Sequence, residues 1–263
     1  MERRALVALT TVLMLAGCSQ PAGTALSEQG ATAQAVGRVE LPSLFHSPEN
    51  LEELTNTVRK ATYIIQCGDS YGSGYGYSPY WYEERQNFII TTHTVISQCL
   101  ELGTDPEITN SEWESFGAKI VSSKVQEGVP LEFTENIDLA ILRPKATGIE
   151  SLEKVAARTQ TGSWVMTGSY PLINDGLLTY AVTHGIVAAN TYNLGYATTA
   201  VTNPGSNGGV VVNSRGELLG TLYTPDTEIP AGIKYFLPFD QVVTLIEELR
   251  EKTPARDAKP RLG

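Results

Sequence analysis

The 263-residue chain has little histidine, little cysteine and a shortage of positive charge. Its three histidines, His46, His93 and His184, show no metal-ligand spacing with one another or with cysteine, so neither a zinc site nor another cofactor is expected. Lys and Arg number 19 against 29 Asp and Glu, a formal net charge of −10. That balance argues against nucleic acid as a partner and against anionic-lipid binding through a basic patch. The apolar run Ala5–Ala16 is too short to span a bilayer.

That run has a different use. Arg3 and Arg4 precede it, and it ends on "LAGC", Leu15–Cys18, a start built like a secretory signal. The ending resembles the lipobox of bacterial lipoproteins, which implies that residues 1–17 are removed and that Cys18 carries a lipid anchor to the membrane of the cell envelope. A plain N-terminal helix is the alternative. Residues 18–45, rich at first in Ala, Gly, Ser, Thr and Gln, read as a flexible tether. With Cys18 set aside, Cys67 and Cys99 form an even pair in an exported chain. A disulfide suits that compartment, with two buried thiols as the alternative.

Beyond the tether, β signals dominate. "TYIIQC", "NFIITT", "AKIVSSKV", "DLAILR", "SWVMTG", "GVVVN" and "ELLGTLYT" are short runs rich in Val, Ile, Thr and Tyr, separated by Gly, Pro, Asn, Asp and Ser. This is an all-β barrel or sandwich pattern. Two helices frame it. One starts near Ser47 as N-cap, with Pro48 at its first position, and the other carries the stripe Val242, Val243, Leu245, Ile246 and Leu249. The expected folded domain covers residues 46–252, with 253–263 as an unstructured tail.

Three polar residues punctuate the apolar runs. His93 follows "IITT", Asp138 heads "DLAILR", and Ser206 lies in the glycine-rich turn "NPGSNGG". Histidine, aspartate and serine in that order can perform nucleophilic acyl transfer. A base takes the hydroxyl proton, a carboxylate orients the base, and backbone N–H groups of a tight glycine turn receive the oxyanion. Each alone is ordinary: a strand-end His is most often a polar surface residue and a strand-leading Asp a turn former.

Together with "GSGYGY", "VMTGSYP", "VTHGIV" and "IKYFLPFDQVVTLIEEL", these motifs resemble the trypsin-like serine endopeptidases of chymotrypsin fold, specifically the bacterial HtrA/Deg-type branch without a PDZ domain. The match runs over roughly residues 58–250 in one order. It implies two six-stranded antiparallel β-barrels with a boundary near 145–160. It also implies a peptide cleft between them, with a peptide or unfolded protein segment as partner. His93 and Asp138 take the places of base and orienting acid, and the N–H groups of Gly205 and Asn207 those of the oxyanion donors. His184 falls at a variable position and is assigned no catalytic role. Val201, six residues before the nucleophile position, stands where members selective for basic residues carry an acid, so it implies an apolar specificity pocket.

One departure decides the functional reading. The family's turn is Asn-Pro-Gly-Asn-Ser-Gly-Gly, whereas this chain has Ser206 followed by Asn207. Anchored on both flanks, the nucleophile slot holds Asn207, with the serine one place early. A carboxamide has no oxygen comparable to an alkoxide. The expected protein is therefore a peptide-binding pseudoprotease or a strongly impaired enzyme. The alternative is an active endopeptidase that uses His93, Asp138 and Ser206 through a slipped turn; a purely structural envelope protein leaves the ordered motifs unexplained. In the favoured reading Asn207 faces His93, Ser206 lies out of its reach, and Asp138 still holds the imidazole.

Overall fold

Glycine and large side chains alternate through "SYGSGYGY", which forms strand β2 (Ser70–Tyr77) beside β1 (Thr62–Cys67). A side chain at Gly72 would collide with Val95, and one at Gly74 would press on Ile65, so this face of β2 can only be glycine where it meets the filled interior of its own barrel. Tyr75 and Tyr77, pointing the other way, join a second apolar cluster shared with residues after Trp164. One strand thus lines two cores.

In the computed structural model, residues 43–252 are described, apart from 80–85, 127–134, 174–176 and 226–230. The expected signal, lipid attachment at Cys18 and C-terminal tail lie outside the described residues. Further strands are β3 (Phe88–Thr91), β4 (Glu107–Thr109), β5 (Ser115–Gln126) and β6 (Ile137–Pro144). They close with β1 and β2 in the order β1-β2-β3-β6-β5-β4. After a linker come β7 (Trp164–Ser169), a small hairpin of β8 (Leu172–Ile173) and β9 (Leu177–Leu178), then β10 (Ala181–Asn190) and β11 (Tyr196–Thr198). Strands β12 (Val210–Asn213), β13 (Leu218–Tyr223) and β14 (Lys234–Pro238) complete a second barrel, β10-β11-β14-β13-β12-β7. All barrel pairings are antiparallel, so the fold is the expected pair of six-stranded barrels.

Three helices are described rather than the two expected. Helix α1 (Leu51–Lys60) is capped by Asn50, not Ser47. Asn50 Oδ1 accepts from the Glu53 N–H while its Nδ2 donates to Glu53 Oε2, a reciprocal cap that no Ser47–Pro48 start supplies. The unexpected helix is α2 (His93–Leu102), which begins on the histidine itself. Helix α3 (Phe239–Lys252) turns Phe239, Val242, Leu245 and Ile246 into the apolar cluster shared by both barrels. The domain also starts earlier than residue 46. The Trp164 N–H donates to Leu44 O, and Ser214 Oγ donates to Ser43 O, so the end of the expected tether is bonded to the second barrel.

Cys67 on β1 and Cys99 on α2 are bonded, with Cα atoms 5.1 Å apart and a sequence separation of 32. A closed loop of that length stabilises the fold by about 3–4 kcal/mol on the chain-entropy account. It pins α2, and hence His93, to the first barrel.

Candidate functional site

His93 owes its position to a helix start. Thr92 is extended and its hydroxyl accepts from the Val95 N–H, capping α2. Asp138, buried near the head of β6, supplies a second cap: its Oδ1 accepts from the Thr94 N–H and its Oδ2 from Thr94 Oγ1, both at 2.9 Å. A carboxylate suits a helix N-terminus, where the backbone donors are free. The imidazole is held otherwise. Its Nδ1 lies 2.7 Å from Ser123 Oγ on β5.

The expected contact between Asp138 and the His93 ring is therefore replaced. Asp138 stands beside His93, feels its charge and takes its backbone N–H, but its carboxylate oxygens bond Thr94 while the ring bonds a neutral hydroxyl. A register shift explains how Ser123 gets there. On β5, Ile120 pairs with Leu142, then a bulge intervenes and Ser123, rather than Ser122, pairs with Ala140. The bulge moves Ser123 onto the strand face that also carries Asp138, two residues from Ala140. Nothing in "AKIVSSKV" announces it.

Burial pushes the Asp138 carboxyl above its ordinary value, against the opposing pull of the Thr94 donors and the His93 charge. A raised carboxyl holds its proton more tightly in the folded protein than in the unfolded chain. Stability is therefore lost as pH rises from the ordinary carboxylate range through the raised folded value. Asp138→Asn can still accept from the Thr94 N–H and can donate to Thr94 Oγ1, so it keeps the cap without a buried charge. Melting curves from pH 3 to 8 should show the variant gaining on the parent through that window and holding its advantage above it. Parallel curves at every pH would show that the ionised carboxylate carries no folding cost.

The turn Asn203–Gly209 is built from two reversals. The Ser206 N–H donates to Asn203 O across Pro204-Gly205, and the Gly209 N–H donates to Ser206 O across Asn207-Gly208. Gly205 at φ +90° and Gly208 at φ +84° occupy the third position of each, as type II turns require. Ser206 points inward. It is 3% exposed, and its Oγ accepts from Ser169 Oγ at 3.1 Å and from the Asn203 N–H at 3.3 Å. Half-buried Asn207 points elsewhere, its Oδ1 accepting from Thr224 Oγ1 at 2.9 Å. Neither residue bonds the imidazole among the described residues, so the expected pairing of Asn207 with His93 is absent as a hydrogen bond.

Ser73 of β2 fixes the register of this turn from the other barrel. Its N–H donates to Asn207 O and its Oγ to Gly205 O, each at 2.8 Å, while its own oxygens accept from the Tyr170 N–H and Thr91 Oγ1. A one-residue slip that brought Ser206 into the slot would break both bonds to the turn. Val201, the candidate specificity residue, is 60% exposed, and its carbonyl accepts from Thr183 Oγ1. His184 is exposed and stacks on Trp164, away from these groups. Ser123, Thr94, Ser73 and Thr224 are the site residues that sequence reasoning missed. Ser123 and Thr224 lie in the β runs "AKIVSSKV" and "ELLGTLYT", but of the four only Ser73, in "GSGYGY", sits inside a stretch that carries the family resemblance.

Known proteins share this fold. A family model described as "Trypsin-like peptidase domain" matches residues 72–220. The chain is 25% identical over 212 residues to the serine protease Do-like HtrA of Lactobacillus helveticus, covering 74% of this chain and 46% of that one. It thus spans about half the length of this relative. Among solved structures, the serine endoprotease from Yersinia pestis superposes with a TM-score of 0.59 at 25% identity, covering 78% of this chain and 68% of that one.

Proposed function

Because the chain belongs to the trypsin-like peptidase domain family, we propose that it binds peptide segments in the family's cleft with hydrolysis lost or strongly impaired. One observation carries this reading: Ser73 bonds Gly205 O and Asn207 O, which supports a register that leaves an amide, not a hydroxyl, at the position where the family's turn has its serine. Ser206 Oγ spends its acceptor capacity on Ser169 and the Asn203 N–H, so no base is positioned to take its proton. Losing the nucleophile of such a triad leaves only about 10³–10⁴-fold acceleration over water, from binding and the oxyanion donors.

The groups around the turn favour apolar side chains. Val201 offers no counter-ion for Lys or Arg. Leu172 and Leu177 of the β8–β9 hairpin are also exposed, and the Leu172 N–H bonds Pro204 O beside the turn. The test has two parts. The unmodified protein should resist a fluorophosphonate probe, and on a peptide array it should retain small apolar sequences over basic ones. Labelling at Ser206 that is abolished by Ser206→Ala would establish an active enzyme instead.

The same proposal places the protein outside the cytoplasm, tethered by lipid at Cys18. The Cys67–Cys99 bond suits an oxidising compartment, and "LAGC" supplies the attachment motif. Mass spectrometry of the mature N-terminal peptide should find Cys18 first and acylated. An intact Met1 terminus would remove the anchor from the proposal.

A further inference from the structure

From Pro204 to Asn207 the turn at the slot has every carbonyl engaged and several donors unspent. Each carbonyl from Pro204 to Asn207 is occupied: by the Leu172 N–H, Ser73 Oγ, the Gly209 N–H and the Ser73 N–H in turn. The Ser206 N–H is spent inward on Asn203 O, but those on either side, of Gly205 and Asn207, donate to nothing among the described residues. The Asn207 side chain follows the same pattern. Thr224 Oγ1 takes its oxygen, which fixes the amide and leaves both hydrogens of Nδ2 unused. Between Pro204 and Asn207 the turn therefore presents two backbone N–H groups and one NH₂ without partners among the described residues, while each of its carbonyls and Asn207 Oδ1 already accepts a bond.

From this we infer that the slot is a receptor for the free C-terminal carboxylate of a peptide, an inference that rests on the peptide-binding reading above. The carbonyl of an internal peptide bond has one oxygen to offer such a surface. A terminal carboxylate has two, with about four lone-pair directions and a full negative charge, and charge-assisted bonds are roughly twice as strong as neutral ones. The exchange of serine for asparagine is what converts the site. A hydroxyl in that place has one proton to donate and can be made to attack, whereas an amide oriented by a bond to its oxygen has two N–H donors free and cannot attack. The exposed side chains of Val201 and Leu172 near the turn suit an apolar last residue on the ligand.

The experiment is an array of fluorescein-labelled octapeptides ending in Ala, Val or Leu. Each is made as the free acid, as the C-terminal amide, and as a longer peptide carrying the same segment internally. The expected result is at least tenfold tighter retention of the free acids. Asn207→Asp, nearly the same shape, should erase that preference by setting carboxylate against carboxylate, while its circular dichroism melting curve shows that the fold survives. Equal binding of acids, amides and internal segments overturns the carboxylate receptor and leaves the peptide-binding reading standing. If none of the three forms is retained, both fall.

Discussion

Asn207→Ser is expected to give a protein that reacts with fluorophosphonate, but slowly, and the slowness should trace to His93. The exchange puts a hydroxyl in the slot whose backbone Ser73 holds in place. It leaves the imidazole bonded through Nδ1 to Ser123 Oγ rather than to a carboxylate. A neutral partner cannot stabilise the imidazolium that forms when the base takes a proton. In a trypsin-like triad, loss of the carboxylate's action costs about 10⁴-fold in kcat. Adding Ser123→Ala removes the competing partner, and Thr94→Val frees Asp138 Oδ2 from its hydroxyl. The triple variant should label and hydrolyse peptides at least about 100-fold faster than Asn207→Ser alone, a fraction of that 10⁴-fold because the Thr94 N–H still holds Oδ1. Ser206→Ala in the same background should change little, since Ser206 Oγ is buried against Ser169. The full exchange of Ser206 and Asn207 is the poorer test, because it forces an amide into the space of a side chain that is 3% exposed. Equal rates for the single and triple variants would show that the Ser123 contact does not govern the base.

How far the sequence could be read depended on how local the cause of each feature was. The β runs declare themselves through β-branched and aromatic residues, but closure into two barrels depends on pairings such as β1 with β4 and β10 with β7, which no local pattern encodes. That step came from the resemblance. Helix α2 was not expected, because the β-branched Thr94, Val95 and Ile96 carry no helix signal. The signals that make it a helix are the Thr92 cap, Gly103 at φ +66° and the bond from Cys99 to β1. His93, Asp138 and Asn207 were legible because each stands at a fixed place in a motif. Their partners were not. Ser123 reaches the imidazole only through a bulge, and Ser73 meets the turn across the gap between barrels, 132 residues away from Gly205 in sequence. The order "SN" in the turn puts an amide where the family's turn has its serine; that the Asp138 carboxylate beside the histidine bonds Thr94 became visible only in three dimensions.

Gly208→Ala should be among the most damaging single methyl additions in the domain, for a reason that joins fold to site. Gly208 sits at φ +84°, and a Cβ there would overlap Ser73 O and Thr91 Oγ1, both from the opposite barrel. The backbone conformation alone costs alanine of order 1 kcal/mol, and a clash with main chain that cannot swing aside adds to it. A total of about 2–4 kcal/mol follows, or a fall in Tm of roughly 5–15 °C for a domain of this size. Gly232→Ala separates the two contributions, because Gly232 has a similar φ of +80° and nothing within 4 Å of an added Cβ. The extra loss in Gly208→Ala over Gly232→Ala is then the cost of pushing Ser73 away from the turn. That displacement strikes the two bonds that set the register of Asn207, so peptide retention should fall at temperatures where the variant is still folded, while Gly232→Ala retains peptides like the parent. Equal melting shifts and equal retention in the two variants would mean that the barrels do not hold the turn between them, and that the amide keeps its place by the local geometry of "NPGSNGG" alone.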